Sequence, residues 1–210
     1  MEGERVITIA TPRGRLLEET VELFKKASID ITEIVGDSRK LIFEFKEAGI
    51  KLLIVRPSDA ASYVEYGAAD CGIVGKDTLM EQNCNLYEPL DLRIGKCKMV
   101  VAAPKGFKKQ GKASLRIASK YPKIASDFYN KKGITAEIIK LYGSVELAPI
   151  IGLCDAIVDL TATGETLRKN ELVIVEVVAE ISAKFVVNKV SMRIKSKEIK
   201  QLLARLEEAR

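Results

Sequence analysis

Residues 155–167 read DAIVDLTATGETL, an apolar run that ends in an acidic residue and enters a turn of hydroxyls around one glycine. Each residue type has a use there. Gly164 can take backbone angles closed to other residues, which lets successive N–H groups converge on one anion, while Thr161, Thr163 and Thr166 add hydroxyl donors. A helix beginning near Thr163 would add the positive potential of its N-terminus. The turn from Thr161 through Ala162, Thr163, Gly164 and Glu165 to Thr166 is therefore read as a phosphate cradle. Asp155 and Asp159, four apart about the strand end, are expected to accept hydrogen bonds from the 2- and 3-hydroxyls of a ribose held by its 5-phosphate. A capped strand-to-helix turn with no ligand is the alternative reading.

Composition removes other chemistries. The 210 residues include no histidine, so Ser-His-Asp and Cys-His catalysis are excluded. Any reaction must run on carboxylates, lysines, hydroxyls, backbone dipoles or a metal carried by the substrate. Cys71, Cys84, Cys97 and Cys154 form no close-spaced pair, which argues against zinc. A net charge of +5 suits anionic ligands and equally suits a merely soluble surface. The basic run KGFKKQGK, Lys105 to Lys112, carries Phe107 as its sole aromatic and reads as a solvated loop, so no nucleic-acid partner is expected. No apolar run is long enough to cross a bilayer, and MEGERVITIA lacks an apolar leader with a cleavage site, so a cytoplasmic protein with no membrane role is expected.

The elements that must position these residues follow from periodicity. Strand-like runs at Val6 to Ile9, Leu52 to Val55, Gly72 to Val74, Met99 to Ala102 and Ala156 to Val158 alternate with helical patterns, which argues an α/β fold. Leu16, Leu17, Val21, Phe24 and Ala27 form one apolar helix face. Tyr121, Ile124, Ala125 and Phe128 form another, with Gly133 as its C-terminal stop. The run from Leu172 to Val187 is too long for one ordinary strand and is expected to break or bend, passing from one lobe into another. Ile199, Leu202, Leu203 and Leu206 make a closing amphipathic helix with Ser196 as its N-cap. No internal repeat or Pro-rich tether divides the chain, so its domain boundaries are hinges, placed near Asp91 and Lys184.

Upstream of the phosphate turn, LYGSVELAPIIGLCDAIVDLTATGETL, Leu141 to Leu167, resembles the signature region of the ATP phosphoribosyltransferase family, including the phosphoribosyl-pyrophosphate (PRPP) loop. TPRGRL at Thr11 to Leu16, RPSDAASYVEYGAADCGIVGKDTL at Arg56 to Leu79, IASKYP at Ile117 to Pro122 and EISAKFVVN at Glu180 to Asn188 resemble the family's other blocks in the same order. The resemblance implies that Thr161 to Thr166 hold the PRPP 5-phosphate, with Asp155 and Asp159 near its ribose. It implies that Arg56 and Asp70 lie near the nucleotide. Arg13 and Arg15, flanking Gly14, are read as phosphate ligands or as surface charges, and Lys76, Lys120 and Glu146 complete the ATP and phosphate set. Three departures stand out: Arg13 where the family often has Lys, Ala162 where it often has a hydroxyl, and Cys71 for a usual aliphatic.

By resemblance, the reaction joins N1 of ATP to C1 of PRPP with loss of pyrophosphate, the first step of histidine biosynthesis. Adenine N1 needs no deprotonation, so alignment and stabilisation of an oxocarbenium-like transition state suffice. Magnesium is expected on the PRPP pyrophosphate, with no metal ligand from the protein. The family fold resembles a two-lobed type II periplasmic binding protein with a double crossover and an interlobe active site. Residues 1–90 and 184–210 would form lobe I, and residues 91–183 lobe II with the PRPP loop. The chain is similar to the short form, which implies a homodimer of catalytic chains and a regulatory subunit resembling histidyl-tRNA synthetase in a hetero-octamer. A non-catalytic solute-binding module and a phosphoribosyltransferase for another base are the rival readings.

Overall fold

A computed structural model of the chain describes residues 6–34, 39–107 and 114–210, so Lys108 to Lys112 of the basic run lie outside the described residues. The first half comprises β1 (Ile7–Pro12), α1 (Arg15–Lys26), β2 (Ile42–Phe45), β3 (Ile50–Val55), α2 (Ala60–Glu65), β4 (Cys71–Gly75), α3 (Lys76–Gln82) and β5 (Tyr87–Asp91). There follow β6 (Cys97–Pro104), β7 (Leu115–Ser119), α4 (Pro122–Lys131), β8 (Ala136–Lys140), α5 (Leu147–Ile150), β9 (Ala156–Thr161), α6 (Glu165–Lys169) and β10 (Leu172–Ile181). The chain closes with β11 (Ala183–Val187), α7 (Ser191–Ile194) and α8 (Ser196–Ala209). All five strand-like runs fall on strands, Val6 alone lying one residue outside.

Two compact units result. Unit 1 takes the chain up to Leu79, then Asn83–Gly95 and Ser182–Arg210, and unit 2 takes Met80–Gln82 and Lys96–Ile181. Each has its own sheet, in the order β2-β3-β1-β4-β11-β5 for unit 1 and β10-β6-β9-β7-β8 for unit 2. In unit 1, β3, β1 and β4 run parallel, with β11 antiparallel beside β4. In unit 2, β8, β7 and β9 run parallel, with β6 antiparallel beside β9. Strands β6 and β11 each follow a passage of the chain between units, after Gly95 and after Ile181.

Alternation along the strands covers both faces of each sheet. Met99, Val101 and Ala103 of β6 pack with Ile124, Ala125 and Tyr129 of α4, whereas Val100 and Ala102 pack on the other face with Ala148 of α5 and Leu167 of α6. In unit 1, Ile7 and Ile9 of β1 join Val21 and Phe24 of α1 and Ile199, Leu202 and Leu206 of α8, while Ala10 joins Ala60, Ala61 and Val64 of α2. Burial on both faces explains why these strands read as nearly continuous apolar runs.

The run Leu172 to Val187 breaks at Ser182, with β10 in unit 2 and β11 in unit 1. Gly133 stands just beyond α4 at φ 65°, in the left-handed region that ends helices. Ser196 is the first residue of α8 rather than its cap. Lys195 occupies the cap position instead, with its ammonium tied to Val6 O (2.8 Å) and Asp70 Oδ2 (2.6 Å).

Asp91 and Lys184, named as hinge positions, both lie in unit 1 and face each other across β5 and β11. The Lys184 ammonium donates to Asp91 Oδ2 (2.7 Å), and the Ser182 hydroxyl and Arg93 N–H donate to Oδ1 (2.8 and 2.9 Å). Burial by itself would raise the Asp91 pKa, but these donors outweigh it and hold the group at about 2. A carboxylate held low stabilises the fold above the ordinary carboxylate range, and that contribution fades as pH falls toward about 2. The Asp91 side chain is 41% exposed, which discounts the interaction to about 1 kcal/mol. Asp91→Asn is expected to lower unfolding free energy by about that amount at pH 7. The difference from the unsubstituted chain should shrink in urea melts below pH 4.

Candidate active site

In an open α/β sheet, ligands bind beyond the carboxyl ends of the strands, where neighbouring connections leave in opposite directions. Unit 2 has one such point between β7 and β9, because β7 leads to β8 on one side and β9 returns on the other. The Ser119 hydroxyl closes β7 by donating to Val158 O (2.6 Å) and accepting the Tyr121 N–H (2.9 Å). That turn puts Lys120, exposed, at the strand end, with Pro122 opening α4.

The turn from Thr161 to Thr166 emerges beside it from β9. Gly164 sits at φ 75° and ψ 4°, left-handed, with open space where a Cβ would stand, so the requirement is conformational rather than steric. The Gly164 N–H donates to Thr161 Oγ1 (3.0 Å), and the Glu165 N–H points to Thr163 Oγ1 (3.4 Å). Ala162, Thr163, Glu165 and Thr166 are exposed. Two amides of the turn are thus each held by a threonine hydroxyl oxygen. A bound anion can replace the two threonine oxygens as their acceptor and free both hydroxyls to donate. The following helix, α6, starts at Glu165 rather than near Thr163.

Asp159 lies on β9 just before the turn, and its carboxyl is shifted upward from the ordinary carboxylate value. Burial is the main cause, opposed by the Leu160 N–H (2.8 Å), reinforced by Glu146 and relieved by Lys120. Glu146 reaches this neighbourhood from the loop after β8, which turns at Ser144 (φ 47°) and leads into α5. Asp159, Glu146 and Lys120 therefore form one electrostatic group at the end of the unit 2 sheet. The sequence placed Glu146 with the nucleotide; its proximity to Asp159 comes from the side-by-side ends of β8, β7 and β9.

Unit 1 repeats the plan with β1 between β3 and β4. Arg13 and Arg56 follow the paired strand ends Pro12 and Val55, joined by the Arg13 N–H donating to Val55 O (3.2 Å). Both are exposed, and among the described residues neither guanidinium has a carboxylate partner. Gly14, at φ 88° and ψ −156°, precedes α1 in a backbone region essentially restricted to glycine. Arg15 is paired with Glu19 (3.3 Å), whose other oxygen accepts the Gly95 N–H (2.6 Å). Lys76, at the end of β4, is held by both oxygens of Glu88 (2.9 and 2.7 Å). The unit 1 sheet end is thus basic, with Arg13 and Arg56 carrying its uncompensated charge.

Two expected site residues lie elsewhere. Asp155 precedes β9 and Asp159 is near its end; four residues of extended chain separate them by about 13 Å, so both cannot hold one ribose. Asp155 instead exchanges two hydrogen bonds with Arg116: its N–H donates to Arg116 O (2.8 Å) and its Oδ2 accepts the Arg116 N–H (2.8 Å). Asp70 does the same at the start of β4. Its N–H donates to Thr8 O (2.8 Å) and its Oδ2 accepts the Thr8 N–H (2.9 Å). The Ser191 hydroxyl (2.8 Å) and Lys195 ammonium (2.6 Å) occupy what remains of the Asp70 carboxylate. Both aspartates fasten strand starts, each at the opposite edge of its own sheet from the strand ends described above. Cys71 is fully buried, with its thiol pKa pushed up by burial, and packs as an apolar side chain.

The sequence profile described as ATP phosphoribosyltransferase matches residues 56–208. This chain belongs to the ATP phosphoribosyltransferase family. It is 52% identical over 205 residues to the ATP phosphoribosyltransferase of Geobacter metallireducens, covering 96% of this chain and 97% of the relative. It is 51% identical over 205 residues to that of Clostridium botulinum, with the same coverage. Among solved structures, a chain of the ATP phosphoribosyl transferase (HisG:HisZ) complex from Thermotoga maritima superposes with a TM-score of 0.82 at 37% identity, covering 97% of both chains. A putative L-cystine ABC transporter protein from Listeria monocytogenes shares the fold alone, at a TM-score of 0.59 and 13% identity, covering 98% of this chain and 94% of that one. The two-sheet α/β architecture of periplasmic-binding-protein type is thereby shared with proteins of other activity.

The opposite roles of the aspartates can be separated by measurement. Asp155→Asn and Asp70→Asn should each lower stability by about 2 kcal/mol through lost charge-assisted hydrogen bonds, while kcat at a permissive temperature stays near that of the unsubstituted enzyme. Asp159→Asn should do the reverse. A carboxyl whose folded pKa is raised costs stability once pH climbs above its ordinary range, so the amide should raise the melting temperature at pH 7 and lose that advantage in acid.

Proposed function

We propose that the chain transfers the phosphoribosyl group of PRPP to N1 of ATP, releasing pyrophosphate, in the first step of histidine biosynthesis. The family match over nearly the whole chain supports the reaction. The single structural observation that carries the site is the Thr161–Thr166 turn, with two amides held only by its own threonine oxygens, lying beside Lys120 at the switch point of the unit 2 sheet. In this reading the turn holds the 5-phosphate of PRPP, and Asp159 with Glu146 accepts the ribose hydroxyls. Their combined negative charge also favours the oxocarbenium-like transition state as the bond from C1 to pyrophosphate lengthens. The N1 lone pair of adenine attacks C1 from the opposite face. No proton need leave it first, which suits a chain without histidine.

Arg13, Gly14, Arg15 and Arg56 supply guanidinium and amide donors for polyphosphate, and Lys76 joins them if it exchanges Glu88 for a phosphate. Among the described residues no three of His, Cys, Asp or Glu are grouped to hold a metal. Magnesium enters this reading as the counter-ion of the PRPP pyrophosphate, part of the substrate. No helix of the described residues is long and apolar enough to cross a membrane. We assign the enzyme to the cytoplasm, as expected for a consumer of ATP. The Thermotoga relative occurs in a HisG:HisZ complex. We assign this chain the same kind of partner, a regulatory subunit resembling histidyl-tRNA synthetase in a hetero-octamer around catalytic homodimers. Mixing the two purified proteins should give one larger species in size-exclusion chromatography, and persistent separate peaks would refute the assignment.

A pyrophosphate-release assay tests the activity, with ATP compared against other bases. Asp159→Asn should lower kcat on the order of 10²- to 10³-fold with little change in KM for ATP. Thr163→Val should raise KM for PRPP about 10-fold through one lost bond to a charged phosphate. A chain that releases no pyrophosphate with any base would instead be a binding module.

A further inference from the structure

The loop Leu141–Glu146 carries a side chain that nothing above employs. Tyr142 is 82% exposed, far more than the packing of an aromatic ring favours, although it stands two residues after β8 at the carboxyl end of the unit 2 sheet. The Lys140 ammonium lies over one ring face, 5.3 Å from the centroid, and the high exposure leaves the other face open. The turn that presents it bends at Ser144, φ 47°. Immediately beyond, Val145 is buried and anchors the loop to the core, and Glu146 follows beside Asp159. A ring with one face covered by a cation and the other free is suited to stack on a second flat ring.

Its position is set by strand register. Lys140 pairs with Ser119, and Ser119 with Val158, so Leu141, Lys120 and Asp159 stand level at the ends of β8, β7 and β9. Two strand spacings, about 10 Å, therefore separate the Tyr142 strand from that of Asp159. A purine whose N1 meets C1 of a ribose held at Asp159 extends across such a gap, with its remaining edge and faces requiring support.

We propose that Tyr142 stacks on the adenine ring of ATP and holds the base at the site, with Lys140 steadying the phenol from behind. The proposal rests on the placement of the PRPP ribose at Asp159 given above. Tyr142 contacts substrate without moving a proton, so its effect belongs in ATP binding rather than in the chemical step. Stacking on a base contributes enough that Tyr142→Ala should raise KM for ATP about 5- to 100-fold. The KM for PRPP and kcat at saturating ATP should stay near the unsubstituted values, and Tyr142→Phe should retain normal ATP affinity because the ring is kept.

A direct readout is available because the chain contains no tryptophan. In the full chain bearing Tyr142→Trp, ATP titrated in the presence of PRPP should quench the sole indole saturably, at a half-maximal concentration matching KM for ATP. Normal KM for ATP in Tyr142→Ala, or an indole indifferent to ATP, overturns the proposal. So does an equal loss of affinity for both substrates, which would mark a structural role. Thr163→Val separates this from the underlying site: weakened PRPP binding there alongside an unaffected ATP arm would reject the stacking and leave the phosphate turn intact. Unchanged PRPP binding in Thr163→Val would reject the turn, and the ATP titration still decides Tyr142.

Discussion

The third parallel strand of each sheet is fastened to the central one by a carboxylate at its start. Asp70 before β4 and Asp155 before β9 each form the same pair of backbone and side-chain bonds, to Thr8 and to Arg116. Pairing register in a sheet fixes which face every side chain meets, and a slip of one residue would exchange the faces. By setting register at the starts, the two aspartates determine what stands level at the far ends. There Lys120 adjoins the phosphate turn in unit 2, and the Arg13 turn adjoins Lys76 in unit 1. The turns at one edge of each sheet are thus aligned by the same strand pairing that a charge-assisted hydrogen-bond pair fastens at the other.

The two units share a plan that the amino-acid sequence conceals. In both, a central strand leads to a neighbour on one side, a third strand pairs on the other, and an antiparallel strand follows beside it. Both therefore have a switch point where backbone turns open outward. Their electrostatics differ: the unit 1 end gathers arginines, whereas the unit 2 end combines Lys120 and Lys140 with Asp159 and Glu146. Burial disfavours the ionised form of a carboxyl group and a nearby negative charge adds to it, and the upward shift at Asp159 records that cost. A cost of this kind is common where a site is shaped for a charge that develops only during reaction.

Much of this was legible from residue types. The alternation of apolar runs with helical faces gave the α/β class. The over-long run Leu172–Val187 signalled a break, realised at Ser182. The threonines and Gly164 were read as an anion turn, and the structure gives that glycine a left-handed backbone. Asp155 was misplaced because four residues look close in sequence and lie about 13 Å apart in a strand. Asp70 was misplaced because a carboxylate beside a strand reads the same at either end of it. Ser196 looked like a cap, yet Lys195, drawn to Asp70, took that position.

By itself, the sequence determined the kind of chemistry available, since the absence of histidine and the threonine-glycine turn depend on residue identity and local backbone preference alone. It also determined which runs would be strands, because burial on both faces leaves an unmistakable apolar signal. Only the tertiary structure decided which of the acidic residues stand together. Strand direction and order, which join residues distant along the chain, brought Glu146 to Asp159 and sent Asp155 and Asp70 to the opposite sheet edges.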